Sequence, residues 1–112
     1  MPLDEGNSIE VRFEDNTLWL TQQLMGELFQ TSRTNIVEHI QHIYDEEELT
    51  AAATCRTFRQ VRLEGNRQVN RELPFYNLDM IIAVGYRVNS KRATEFRQWS
   101  TAIFPEITAM KT

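Results

Sequence analysis

Residues 20–49, LTQQLMGELFQTSRTNIVEHIQHIYDEEEL, decide how this chain folds, because they read as two short helices joined by a tight turn. Thr21 is placed to cap the first helix, with Leu20 and Met25 as the two halves of a hydrophobic staple. Leu24, Leu28 and Phe29 supply its apolar stripe, and Gly26 stands where a second helix has to come close. The pattern breaks at Gln30-Thr31-Ser32. Apolar residues then return with helical spacing at Ile36, Val37, Ile40, Ile43 and Tyr44, which makes Ser32 the N-cap of the second helix.

At roughly 100° per residue the apolar face of the second helix centres near Ile40, so Thr34, Asn35, Glu38 and His42 project the other way. A small domain that lays a helix on DNA commonly uses such a unit. Asn pairs bidentately with adenine, Thr touches a thymine methyl and Glu accepts from cytosine, each worth about 1–3 kcal/mol of discrimination. Arg33, beside the helix N-terminus, suits a phosphate, and the capping Ser32 belongs to the same candidate surface. The same pattern also occurs in domains that never touch DNA, and Gln30 stands where a glycine usually makes the turn.

Working outward, Ile9–Phe13 alternates apolar and polar residues, Glu14-Asp15-Asn16-Thr17 is turn chemistry, and Leu18-Trp19-Leu20 returns as a second short strand. A small hairpin therefore leads into the first helix. After Asp45–Glu48, Thr50–Ala53 reads as a connector or an extra turn. Thr54–Leu63 and Arg67–Phe75 read as a longer hairpin around Glu64-Gly65-Asn66, with Val69, Arg71 and Leu73 on one side. This hairpin carries Arg56, Arg59, Arg62, Arg67 and Arg71, a density that suits either solvent or phosphate. In the final third, Asn77 caps a run with Leu78, Ile81, Ile82 and Val84, which Gly85 and Asn89 weaken. Ser90 then opens a helix whose Ala93, Phe96, Trp99, Ser100 and Ile103 share a face, and Pro105 stops it near Phe104.

The fold these elements predict is α+β: a winged helix-turn-helix-like single domain over residues 9–104, with an N-terminal hairpin, an arginine-rich wing and C-terminal helices. Residues 1–8 and 105–112 read as tails. A length of 112 residues with 41% hydrophobic composition suits one domain with a modest core. The single cysteine, Cys55, excludes an internal disulfide and suits a reducing cytoplasm. No apolar run reaches the roughly 20 residues of a membrane span, and the acidic N-terminus lacks a signal-peptide core. A cytoplasmic protein with no membrane partner is the expectation.

The net charge of −4 speaks against a polyanionic partner, but its distribution does not. Residues 1–48 hold two basic and eleven acidic side chains, a net of −9, whereas residues 49–99 hold nine basic and four acidic ones, a net of +5. A basic surface is available, unless the arginines pair with the Asp45–Glu48 run. Other chemistry is thin. His39 and His42 have metal-ligand spacing without a second cluster, and Cys55 lacks an orienting group or a nucleophile turn. Asn77 and Asp79 fit a helix start better than acid–base work. No metal, cofactor or enzymatic activity is expected.

The run Phe75–Trp99, FYNLDMIIAVGYRVNSKRATEFRQW, resembles the hallmark segment of the RhuM family of bacterial proteins, named for a virulence-associated member. The similarity extends over roughly residues 9–101 through EVRFEDNTLWLTQQLMGELF, the Glu38–Ile40 step and the Arg56–Arg59 strand; its most specific motifs are Tyr76–Asp79 and Gly85–Thr94. The resemblance implies a prophage- or mobile-element-associated protein whose N-terminal region is similar to DNA-binding modules of phage antirepressors, and similar regions precede Fic-type domains. It departs from the family pattern at Gln30-Thr31, where Gly-Val is expected, and over Ile103–Thr112, where a longer helix usually follows. A truncated N-terminal module is one expectation from that ending.

Two functions from different classes emerge. In the first, the second helix enters the major groove of double-stranded DNA, while Arg33, Arg56, Arg59, Arg67, Lys91 and Arg92 neutralise phosphates, and paired half-sites would suit a homodimer. In the second, the acidic first half makes the chain a protein-interaction or regulatory module for a partner effector or toxin domain.

Overall fold

Alternation along Thr17–Leu20 sends Leu18 and Leu20 to one side and Trp19 to the other, and those sides become the two apolar cores of the molecule. The structure, a computed structural model, describes residues 2–4, 7–8, 11–88 and 90–103. Its elements are β1 (Pro2–Asp4), β2 (Asn7–Ser8), β3 (Arg12–Glu14), β4 (Thr17–Leu20), α1 (Gln22–Phe29), α2 (Arg33–Asp45), α3 (Ala51–Thr54), β5 (Cys55–Glu64), β6 (Arg67–Asn77), α4 (Leu78–Val88) and α5 (Lys91–Ile103). The fold is α+β, as expected. β1 and β2 pair within the stretch read as a tail, whereas Ile9, Glu10 and the tail from Pro105 lie outside the described residues. Among the described residues no helix is long and apolar enough to cross a membrane.

The main sheet is antiparallel with the order β3-β4-β6-β5. Both of its hairpin loops have two residues. Asp15 and Asn16 take left-handed φ of 54° and 61°, as a type I′ loop demands, and Gly65 takes φ 66° between Glu64 and Arg67. β5 and β6 run in unbroken register from Cys55 opposite Tyr76 to Glu64 opposite Arg67. β4 meets β6 only at Trp19 opposite Asn77 and Leu20 opposite Tyr76. Beyond that contact the β5–β6 hairpin is a two-stranded ribbon. Pro74 lies in this outer stretch, clear of β4, where a missing N–H disturbs the sheet least.

The capping residues read from the sequence are in place. Leu24 N–H donates to Thr21 Oγ1 at 3.1 Å, Asn35 N–H to Ser32 Oγ at 3.1 Å, Met80 N–H to Asn77 Oδ1 at 3.2 Å and Ala93 N–H to Ser90 Oγ at 3.1 Å. Each such cap contributes about 1 kcal/mol. α1 and α2 both end in the paired bonds of a Schellman motif, with Gln30 (φ 55°) and Glu47 (φ 58°) in the left-handed position.

The larger core gathers Leu18 and Leu20 with Met25, Leu28 and Phe29 of α1, Ile36, Ile40 and Ile43 of α2, the apolar face of α4, and Ala93 and Phe96 of α5. Gly85 does not end α4. Instead it admits Phe29, whose Cζ would lie 3.3 Å from a Cβ at that position, and Phe29 then meets Phe96 edge-on at 5.8 Å. The smaller core, Trp19, Phe58 and Phe75, sits at the base of the hairpin with T-shaped contacts of 5.5 and 5.3 Å. Two residues expected on apolar faces point outward instead: Val37 is 39% exposed and Ile103 51%. Their spacing was helical, but nothing in the described chain covers that side of α2 or the last turn of α5.

Candidate nucleic-acid interface

The turn between α1 and α2 is tight because Gly26 lacks a side chain. A Cβ there would lie 3.0 Å from the Thr31 carbonyl oxygen. This close approach leaves the outer surface of α2 uncovered, and Ser32, Arg33, Thr34, Asn35, Glu38 and His42 are all exposed. Thr34, Glu38 and His42 follow one another at intervals of four along one face. Asn35 is held at the N-terminal end, its Nδ2 donating to Thr31 Oγ1 at 2.9 Å. Arg33 leans back on α1 and donates from Nε to Gln22 Oε1 at 3.2 Å. The helix thus offers polar side chains with a cation at its N-terminus. Its other end is acidic, although Arg87 of α4 pairs with Glu46 there.

His39 faces partly inward on the same helix. Burial first, then the charges of Arg87 and His42, hold its imidazole below the usual value of 6.5, against an opposing pull from Glu38.

Lys91 and Arg92 open α5 on the far side of the turn. Arg92 donates from its guanidinium to the Glu27 carbonyl at 3.3 Å, which places a cation at the C-terminal end of α1. Lys91 is exposed.

The hairpin arginines do not form one surface. Register places Arg56, Arg67 and Arg71 on one ribbon face and Arg59 on the other. Arg56, Arg59 and Arg71 also have partners, though not in the Asp45–Glu48 run. Arg56 pairs with Asp15 and stacks 4.7 Å above the Trp19 ring, and Arg71 makes two 3.0 Å bonds to Glu64. Arg59 lies 3.8 Å from Glu72, with both side chains about two-thirds exposed. Arg67 makes no ion pair among the described residues. The hairpin therefore presents Arg59 and Arg67 as its less committed cations.

Between α1 and the hairpin runs a groove of about 1000 Å³, lined by Arg12, Gln22, Arg33, Gln60, Leu73 and Phe75 among others. The sequence reading missed Arg12, Gln22 and Gln60 here. Arg12 covers the smaller core, its guanidinium 4.1 Å from the Phe58 ring centre, and Gln60 Oε1 is buried without a hydrogen-bond partner. Strand alternation was the signal available for Arg12 and Gln60, but only the pairing of the hairpin with the rest of the sheet shows which face they reach. Cys55 is half-buried, and burial pushes its thiol up from the ordinary range, away from nucleophilic reactivity.

Neither the curated proteins nor the solved structures yield a match to this chain. The profile of the virulence protein RhuM family matches residues 53–110, just over half of the sequence, covering the long hairpin, α4 and α5. The motifs Tyr76–Asp79 and Gly85–Thr94 fall inside that match, one opening α4 and the other joining it to α5. The chain belongs to the virulence protein RhuM family.

Proposed function

We propose that this chain is a non-enzymatic, winged-helix DNA-binding module, acting in the cytoplasm as a transcriptional regulator or a regulator of a mobile element. The carrying observation is the open outer face of α2, with Thr34, Asn35, Glu38 and His42 exposed and Arg33 at its N-terminus. The chain order β4-α1-α2-α3-β5-β6, with β6 between β4 and β5, supports a reading as a helix-turn-helix backed by a wing. In this reading α2 enters the major groove. Arg33, Lys91, Arg92, Arg59 and Arg67 contact phosphates, while Arg56 braces the base of the wing.

Fluorescence anisotropy with mixed-sequence duplexes tests the reading. Binding is expected at low salt and should weaken steeply as salt rises, and a selected site should lose roughly 1–3 kcal/mol of its advantage over random DNA in Asn35→Ala. Absence of binding to every duplex at low salt would overturn it.

One observation favours a second reading, a regulatory module for a partner effector or toxin domain. Arg56, Arg59 and Arg71 each face a carboxylate, and α2 runs at its C-terminal end into the acidic stretch Asp45–Glu48, so much of the surface is already neutralised or repels phosphate. A stable complex with an adjacent effector domain, formed by protein that ignores DNA, would establish this second reading instead.

A further inference from the structure

Arg33 is exposed at the start of α2, yet its guanidinium is held in place. Gln22 opens α1, and its Oε1 accepts from Arg33 Nε at 3.2 Å while its Nε2 donates to the Tyr76 hydroxyl at 3.1 Å. A guanidinium has no acceptor, so Arg33 fixes which way round the Gln22 amide stands and turns its donor end to Tyr76. Tyr76 is 6% exposed and locked into the sheet between Leu20 of β4 and Cys55 of β5. These bonds run from the sheet through the first turn of α1 to the first residue of α2, joining three segments far apart in the sequence.

The partner of Arg33 is neutral. Arg56, Arg59 and Arg71 face carboxylates, which place a guanidinium and cancel its charge at once. An amide places the guanidinium and leaves its charge intact. The contact also uses Nε alone: among the described residues the two terminal nitrogens of Arg33 make no hydrogen bond or ion pair. Paired N–H donors of this kind clamp a phosphate bidentately. A lysine offers no such division, because its single ammonium serves as a point charge.

We propose that Gln22 is a positioning residue: anchored on Tyr76, it holds Arg33 with its charge intact, so that the guanidinium meets a DNA phosphate already ordered. The inference rests on the DNA reading of α2 and deepens it. It gives Gln22, and Tyr76 of the family motif, a part in recognition through Arg33 rather than through contacts of their own. Ordering a long side chain in advance removes a cost otherwise met on binding.

Fluorescence anisotropy of the whole chain on a mixed-sequence duplex, at a series of salt concentrations, separates positioning from charge. Arg33→Ala should lower the slope of log affinity against log salt by about 1, the loss of one phosphate contact. Gln22→Ala should weaken binding about two- to tenfold with that slope unchanged, because the cation remains and has to be ordered on binding. In the Arg33→Ala background, Gln22→Ala should have no further effect. Gln22→Glu still holds Arg33 but neutralises it, so its slope should fall as in Arg33→Ala. Tyr76→Phe keeps the buried ring and removes the anchor, and should reproduce part of the Gln22→Ala loss. In the chain without DNA, the Arg33 Nε–H should exchange with water faster in Gln22→Ala than in the parent, as read by NMR. Equal losses from Gln22→Ala in both backgrounds, an unchanged affinity or an unchanged Nε–H exchange rate would overturn the proposal and leave the DNA reading standing. A parent chain that binds no duplex at low salt would overturn both.

Discussion

Gln30, like Glu47, carries a backbone cost. It closes α1 at φ 55° and ψ 48°, a conformation in which a side chain costs about 1–2 kcal/mol relative to the right-handed helix. Glycine would occupy it freely. Four residues earlier, Gly26 is held to its identity by the opposite constraint, a backbone oxygen 3.0 Å from where a Cβ would stand. Gln30→Gly should therefore raise unfolding stability by about 1 kcal/mol, somewhat offset by the greater freedom of glycine in the unfolded chain. Urea denaturation reads this as a higher midpoint with an unchanged slope, and a lower midpoint would count against strain at this residue.

Among the elements, the β5–β6 ribbon separates two kinds of arginine. Arg71 is tied to Glu64 through both carboxylate oxygens, whereas Arg67 makes no ion pair among the described residues. If the ribbon meets DNA as proposed, Arg67→Ala should lower affinity for all duplexes alike and reduce the slope of log affinity against log salt by about 1. Arg71→Ala should leave that slope nearly unchanged; equal effects of the two substitutions would remove the distinction. The contrast also marks what was legible in the sequence. Caps at Thr21, Ser32, Asn77 and Ser90 and turns at Asp15-Asn16 and Gly65 are local, and local chemistry fixed each of them. The β4–β6 pairing, the Arg56–Asp15 contact and the groove beside Arg33 join residues far apart in the chain, so no short window contains their signal. The outward face of α2 was readable from its period, but the fate of Val37 and Ile103 depended on what packs beside them.

For the whole molecule, acid should loosen the packing of α2 against α4. The folded-state value of His39 lies below 6.5, so on acidification the unfolded chain takes up the proton first. The full contribution to stability is present above about pH 6.5 and is lost as pH falls from there to the lower folded value, after which it levels off. His39→Gln should flatten the stability profile across that interval in thermal melts followed by circular dichroism. Identical profiles for variant and parent would show that His39 carries none of the acid sensitivity. The fold also ties together two regions that the family profile separates. Phe29 belongs to α1, outside residues 53–110, yet it is seated against Gly85 and Phe96 within them. The segment that marks the family thus contains the socket for the helix pair, and the two are not interchangeable cartridges. A graft of another helix pair onto this hairpin and its trailing helices would have to bring an aromatic ring shaped for that socket.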